Sequence, residues 1–233
     1  YLGLDLIDTL DYTHGVKVLN RAASRALGSV VAKYYHLDGT SHAVYKRMYD
    51  CLVAPVMDYG AELWGTKVYD CCTTTQHRAM RTFLGVGKCT PLPAIYGDMC
   101  WSAPYTRHQV AAVRYWLRLT KLPRSRLTRR VFDWDYQLAL RGRRSWNRDI
   151  KNILDKCGLV DIFENAQHQQ PARNHVLKLV EQALVHNKRQ QRTADATSMP
   201  RMQVYSNITL DTGEMPCYVD SRVSRRERSV LAK

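Results

Sequence analysis

The spacing of apolar residues constrains this chain most. They recur at intervals of three and four over much of its length, which is the signature of amphipathic helices rather than of strands. From about Val16, the residues Leu19, Ala22, Ala23, Ala26, Leu27, Val30, Val31 and Tyr34 fall on one face of a helix of about five turns. Thr40 or Ser41 can cap a second helix with Val44, Met48, Leu52 and Val56 inward, kinked where Pro55 removes a backbone donor. A third, roughly Thr73 to Leu84, buries Met80, Phe83 and Leu84 and stops at Gly85. Thr90-Pro91 reads as N-cap and first position of a short helix. A helix over about 103–122 turns Val110, Val113 and Leu117 inward and is ended by Pro123. Leu127, Val131, Trp134 and Leu138 form the expected buried edge of the next, closed by Gly142. Ser145 caps a helix with Trp146, Ile150, Ile153, Leu154 and Cys157 inward, and Pro171 opens the last long one through Val176, Val180, Ala183 and Leu184.

The expected fold is therefore mainly α. Leu2, Leu4 and Leu6 alternate as in a short N-terminal strand, and residues 202–208 and 217–219 suggest a small hairpin around Asp211-Thr212-Gly213. Between these, the polar stretch 190–200 reads as a linker.

Charge is distributed unevenly along this framework. The chain of 233 residues carries 35 Lys and Arg against 21 Asp and Glu, a formal net charge of +14. Residues 1–65 are almost neutral at −1, whereas 66–120 carry +5 and 121–150 carry +6. A basic region of this kind favours a polyanionic partner, nucleic acid before membrane surface, over a uniformly solvated exterior. On the helix over 103–122, Arg107, Arg114, Arg118 and Lys121 fall within a sector about 60° wide beside the apolar one. Arg124, Arg126, Arg129, Arg130, Arg141, Arg143 and Arg144 follow. On the first helix Lys17, Arg21 and Arg25 lie beside the small residues Ser24 and Gly28, which would let the helix lie close to a phosphate backbone.

Catalytic and metal chemistry finds little support. Cys71 and Cys72 are adjacent, Cys89 and Cys100 lie eleven apart, and the histidines lack partners at ligand spacing, so no zinc site is expected. Asp211-Thr212-Gly213 superficially resembles an aspartic-protease turn, but that chemistry needs two carboxylates sharing a proton, and a hairpin turn is the better reading. Asp133 and Asp135 point to different helix faces, there is no phosphate-cradling Gly-rich loop, and no adjacent Asp pair occurs. The seven cysteines form no disulfide frame. With no basic-then-apolar leader and no apolar run longer than Leu52–Met57, an intracellular protein of nucleus or cytoplasm is expected, with no membrane partner.

Several segments together resemble non-LTR (LINE-type) retrotransposon reverse transcriptases. They begin with Tyr1-Leu2-Gly3, Asp8 to Leu10 and the small-residue helix Ala22-Ala23-Ser24-Arg25-Ala26-Leu27-Gly28. The most specific match is Tyr45 with Val53-Ala54-Pro55-Val56-Met57-Asp58-Tyr59-Gly60 and Trp64-Gly65, an apolar residue, Pro, two variable positions, Tyr-Gly and a nearby Trp. Gln76 to Gly85, Thr90-Pro91, Trp116, Trp146, Pro216-Cys217-Tyr218 and residues 228–233 continue it in order.

The resemblance implies a helical thumb bundle over residues 1–88 with the end of the palm, a basic helical connection over 89–190, and a linker, hairpin and truncated helix over 191–233. The family's catalytic Asp pair would lie upstream and its zinc-binding module downstream, so catalytic residues, metal and cofactor are expected outside this chain, any divalent metal belonging to the palm. Tyr1, Leu2 and Gly3 match the primer-gripping hairpin, and the helix from Val16 matches the thumb helix that tracks the template–primer duplex. The implied role is non-catalytic grip on RNA, RNA–DNA hybrid or DNA, with the palm of the same polyprotein as protein partner. The expected phosphate contacts are Lys17, Arg21, Arg25, Arg78, Arg81, Arg107, Arg114, Arg118, Lys121, Arg124, Arg126, Arg129, Arg130, Arg143 and Arg144. The rival reading is a decayed or domesticated element fragment whose helices serve only protein interaction.

Overall fold

The intervals of three and four become helix in a computed structural model of the chain, which describes residues 4, 11–166, 172–202, 205, 216, 219, 224, 226, 227 and 230. No strand occurs among them. Tyr1, Leu2 and Gly3 and most of the expected N-terminal strand and hairpin lie outside the described residues, and where described residues fall within them they are not strand: Leu4 sits in a bend, Met202 ends a 3-10 turn, and Tyr205 and Val219 are helical. Eleven α-helices are described: α1 Thr13–His36, α2 His42–Met48, α3 Ala54–Met57, α4 Ala61–Trp64, α5 Asp70–Leu84, α6 Leu92–Met99, α7 Pro104–Leu119, α8 Leu127–Leu140, α9 Trp146–Lys156, α10 Val160–Glu164 and α11 Arg173–Ser198. The chain forms two compact units interleaved in sequence. One comprises Tyr1–Tyr59, Tyr69–Pro104 and Lys188–Lys233, and the other Gly60–Val68 and Tyr105–Asn187. The boundary expected at 88 falls in the α5–α6 loop, and that at 190 falls inside α11.

In the first unit α1 buries Val16, Leu19, Ala23, Leu27, Val30 and Tyr34 against α3 and α5. Ser41, rather than Thr40, caps α2, its hydroxyl accepting from the Val44 amide. The buried side of the following segment differs from the expected one. Val44 and Leu52 are exposed, and the inward row is Tyr45, Tyr49, Val53 and Met57, one position later at the same spacing. One hydrogen bond favours it: the Tyr45 hydroxyl donates to the Ala79 carbonyl at 3.0 Å, beside the Tyr34 hydroxyl of α1, which donates to that of Phe83 at 3.2 Å. An aliphatic row has no donor with which to reach α5. The expected kink at Pro55 takes the form of a π-helical turn, Tyr49–Val53, immediately before it, which accommodates the missing amide by widening the helix.

Helix α5 ends as expected at Gly85, in the left-handed region at φ 70°, with the Val86 amide donating back to the Arg81 carbonyl. Helix α6 starts at Leu92, with Pro91 as its N-cap, one residue later than Thr90-Pro91 suggested. The expected linker is instead the last turns of α11, which continue to Ser198. Its Gln, Arg and Ala residues are good helix formers, and Ala196 is buried beside Ala94 and Met202.

The second unit is built on an aromatic stack. Trp116 of α7 stacks on Phe163 of α10 at 5.6 Å between centroids, and Tyr136 of α8 stacks on the same ring at 4.8 Å. Asn147 ties the layers together. Its side chain accepts from the Trp116 indole at 2.8 Å and donates to Asp135 at 2.8 Å, and its backbone amide donates to the same carboxylate. Asp135 and Ser145 thus both cap α9.

Here too the structure reverses an expectation. Leu127, Val131 and Trp134 are 71%, 55% and 65% exposed, while Arg129, Phe132, Tyr136 and Ala139 face inward. Helix α8 has apolar residues on two opposite faces, and the inward one is that with the aromatic rings and the tyrosine hydroxyl, which donates to the Phe163 carbonyl at 2.6 Å.

Glycine matters most at the end of α4. A Cβ at Gly65 would stand 2.3 Å from the Ala61 carbonyl oxygen and 2.6 Å from that of His108, while Trp64 meets the His108 ring edge-on at 4.6 Å. The Trp-Gly pair therefore allows α4 and α7 to approach backbone to backbone. At Gly28, on the open side of α1, a Cβ would meet nothing within 4 Å. Gly65→Ala should therefore destabilise the fold by about 1–3 kcal/mol. Gly28→Ala should stabilise it by about 0.5–1 kcal/mol through helix propensity alone. Urea denaturation of both variants measures the contrast.

Candidate nucleic-acid interface

Three cations of α1 stand in a row because they are four residues apart. Lys17, Arg21 and Arg25 are exposed, rise about 6 Å from one to the next along the axis, and border the open surface at Gly28. Among the described residues none of the three has a carboxylate partner. Lys17 lies close enough to Cys71 to help the Cys72 side chain bring the Cys71 thiol down to about 7.

The two arginines of α5 divide. Arg78 is exposed. Arg81 is half-buried and donates to the carbonyls of Thr90 and Lys88 at 3.3 and 3.4 Å, so it anchors the α5–α6 loop instead of standing free for phosphate.

The second unit holds the larger basic group. Arg114 and Arg118 are exposed on α7, Arg107 is half-buried on the same stripe, and Lys121 follows in the turn after the helix, which ends three residues before the expected terminus. Arg124, Arg126, Arg130, Arg143 and Arg144 are exposed in the connections and on α8.

Arg129 is the clear departure. Only 6% exposed, it sends Nη1 to the carbonyls of Leu119 and Thr120 and Nε to Asp133 at 2.8 Å. It closes the C-terminus of α7, where the helix dipole favours a cation, and so belongs to the framework of the unit, not to its surface. Helical phase could have separated Arg129 from Arg130, had Phe132 and Tyr136 been taken as the inward face.

One cationic contact escaped the sequence reading because its partners are 96 residues apart. Arg192 of α11 lies over the Tyr96 ring, 4.4 Å from its centroid. Burial lowers the Arg192 pKa. Burial and the neighbouring Arg192 charge do the same to Lys188. The Tyr96 hydroxyl in turn meets His77 Nε2 at 3.1 Å, and burial together with the Arg81 charge brings His77 down to about 4. Among the described residues no group of three His, Cys, Asp or Glu side chains could hold a metal ion, and no helix is long and apolar enough to cross a membrane. Comparison with protein-family models, curated proteins and solved structures finds no match to this chain.

The arrangement offers exposed guanidinium and ammonium groups on helices and in the connections between them. Two outcomes follow from it. Arg129→Ala should destabilise the chain by about 2–3 kcal/mol, since it orphans buried carbonyls and Asp133, whereas Arg130→Ala should leave stability unchanged, as read from urea denaturation. Titration of His77 supplies the other. Folded, its ring stays neutral down to about pH 4, while in the unfolded chain it protonates near 6.5. The unfolded state binds more protons between these limits, so stability should fall as pH drops from about 6.5 to 4. Comparing denaturation midpoints of the parent chain and His77→Gln across that window isolates this contribution, which the variant should lack.

Proposed function

We propose that this chain is a non-catalytic nucleic-acid-binding segment, the thumb and connection of a non-LTR retrotransposon RNA-directed DNA polymerase, that grips template–primer duplex or target nucleic acid through its phosphates. The observation that carries the reading is the exposure of the cationic rows: Lys17, Arg21 and Arg25 on α1, and Arg114, Arg118, Lys121, Arg124, Arg126 and Arg130 over α7, its following turn and α8. Cations held on helices and in the turn that joins α7 to α8, without carboxylate partners among the described residues, are what a regularly spaced polyanion requires. The resemblance of Val53 to Gly60 and Trp64-Gly65 to the family adds the parentage, and the catalytic Asp pair and its divalent metal are assigned to the palm of the parent polymerase. Guanidinium and ammonium groups contact phosphate oxygens without reading bases, so recognition follows backbone geometry, as for A-form-like hybrids.

Binding of a fluorescent RNA–DNA hybrid and of an RNA hairpin as a function of salt tests this. With about six phosphates neutralised, log K should fall with log salt at a slope near −5. Replacing Arg114, Arg118 and Lys121 together by Gln should make the slope shallower by about 2–3 and weaken binding evenly across sequences. Absence of binding at low salt, or a slope that the triple substitution does not change, would overturn the proposal.

A further inference from the structure

Helix α8 presents to solvent a face that its own unit does not use. Viewed along the axis, Leu127, Val131, Trp134 and Leu138 fall within about 60° of one another and extend over about three turns. Three of them are more than half exposed, and Leu138 is half-buried. The opposite side is fixed in the core by Phe132, Tyr136 and Ala139, and a Schellman turn closes the helix, with the amides of Gly142 and Arg143 donating to the carbonyls of Ala139 and Leu138. The exposed stripe is therefore held at a set orientation.

Its two edges differ. Along one run Arg126, Arg130 and Arg141, all exposed. Along the other lie Thr128 and Asp135, and Asp135 is engaged with Asn147. An apolar face with one cationic edge has a specific complement.

We infer that α8 is a docking face for an acidic amphipathic helix of another protein, which lays an aliphatic stripe on Leu127, Val131, Trp134 and Leu138 and sets a row of Asp or Glu along Arg126, Arg130 and Arg141. Helix-on-helix recognition of this kind uses anchors spaced by three and four residues on both partners, with Trp134 as the central anchor. A second copy of this chain fits less well: packed antiparallel, two α8 helices set the Arg130 and Arg141 edge of each copy against the same edge of the other, and packed parallel they set it against Thr128 and Asp135, whose carboxylate Asn147 already engages. Nucleic acid fits less well also: Leu127, Val131 and Leu138 have neither donor nor π-face to offer a phosphate or a base. A lipid surface is the competing occupant, and the vesicle arm of the test separates it. The inference rests on the apolar stripe, which the nucleic-acid reading does not use, and shares only Arg126 and Arg130 with that reading.

The test uses the full chain and a fluorescein-labelled, hydrocarbon-stapled helical peptide with Leu at i, i+4, i+7 and i+11 and Glu along one edge. Two control peptides replace Glu by Lys or scramble the order. Saturable micromolar binding to the Leu/Glu peptide alone is expected, with Trp134→Ala weakening it at least tenfold and Arg130→Gln several-fold. Because these side chains are exposed, circular dichroism should show both variants folded. Binding should also shield Trp134 from acrylamide quenching: Trp64, Trp101 and Trp116 are already buried, and the signal of the half-buried Trp146 is read separately in Trp134→Ala. Four outcomes would overturn the inference: no saturable binding, equal binding of the scrambled peptide, no effect of Trp134→Ala, or a Trp134→Ala variant that instead loses self-association in sedimentation, RNA binding or attachment to anionic vesicles.

Discussion

Two phenol hydroxyls hold the first unit in register. Tyr34 comes from α1 and Tyr45 from α2, and both donate to backbone carbonyls of α5, four residues apart at Ala79 and Phe83. Burial and neighbouring phenols raise the Tyr45 pKa well above its ordinary value, which keeps it a donor at any physiological pH. Around these bonds the rings of Tyr34, Tyr45, Tyr49, Phe83, His42 and Trp101 lie at centroid distances of about 5–6 Å, and the Trp101 indole donates to His42. The Ala79 carbonyl already accepts one bond within α5 and offers Tyr45 its second lone pair, whereas Phe83 lies in the last turn of α5, where Tyr34 supplies a donor that the helix itself does not. Sliding α1 or α2 by one residue would bury two unpaired hydroxyls, at a cost of about 1–3 kcal/mol each. The position of Lys17, Arg21 and Arg25 on the outer side of α1 follows from this lock, since the side that carries Tyr34 must face α5.

Asn147 does the same for the second unit. One buried side chain accepts from α7 through Trp116 and donates to α8 through Asp135, while its own backbone begins α9. Arg129 then joins the C-terminal carbonyls of α7 to Asp133 of α8. The helices that carry the basic groups are thus connected by hydrogen bonds that specify direction as well as by apolar burial. That is the condition for holding cations in a fixed row.

Most helices were legible in the sequence, though not the short α4 and α10 or the last turns of α11, and so were the ends at Gly85, Gly142 and Ser145, which act locally. The buried faces of α1, α5 and α9 were legible for a related reason: each has one apolar side. Helix phase failed where two apolar sides compete. In α2 and the π turn, and again in α8, periodicity offers the row richer in Val and Leu as core, while the structure buries the row containing tyrosine. Periodicity weighs Val44 and Tyr45 alike, whereas the protein selects the residue whose hydroxyl reaches a carbonyl in another helix, and that partner is invisible until the helices are assembled. The same blindness placed Arg129 among the surface arginines and missed Arg192 over Tyr96. The exposure of Arg114, Arg118 and Arg130 was foreseeable because no inward partner competes for them.

Helix dipoles sharpen what the cationic rows imply. Cations near a helix N-terminus oppose the dipole, each by about 0.3–1 kcal/mol, and proteins commonly place Asp or Glu there instead. Helices α1, α7 and α8 have no acidic residue in their first turns, and Arg124, Arg126, Arg129 and Arg130 crowd the start of α8. For Arg129 the conflict is resolved inside the fold by Asp133 and the negative end of α7. For Arg124, Arg126 and Arg130 no carboxylate among the described residues offsets it. Charge added for solubility alone could sit anywhere on the surface, including the C-terminal turns where it would stabilise the helices. Charge concentrated where it strains them would be relieved by an anion from outside, and on the two proposed readings the start of α8 is where a phosphate row and an acidic partner helix would compete for the same guanidinium groups.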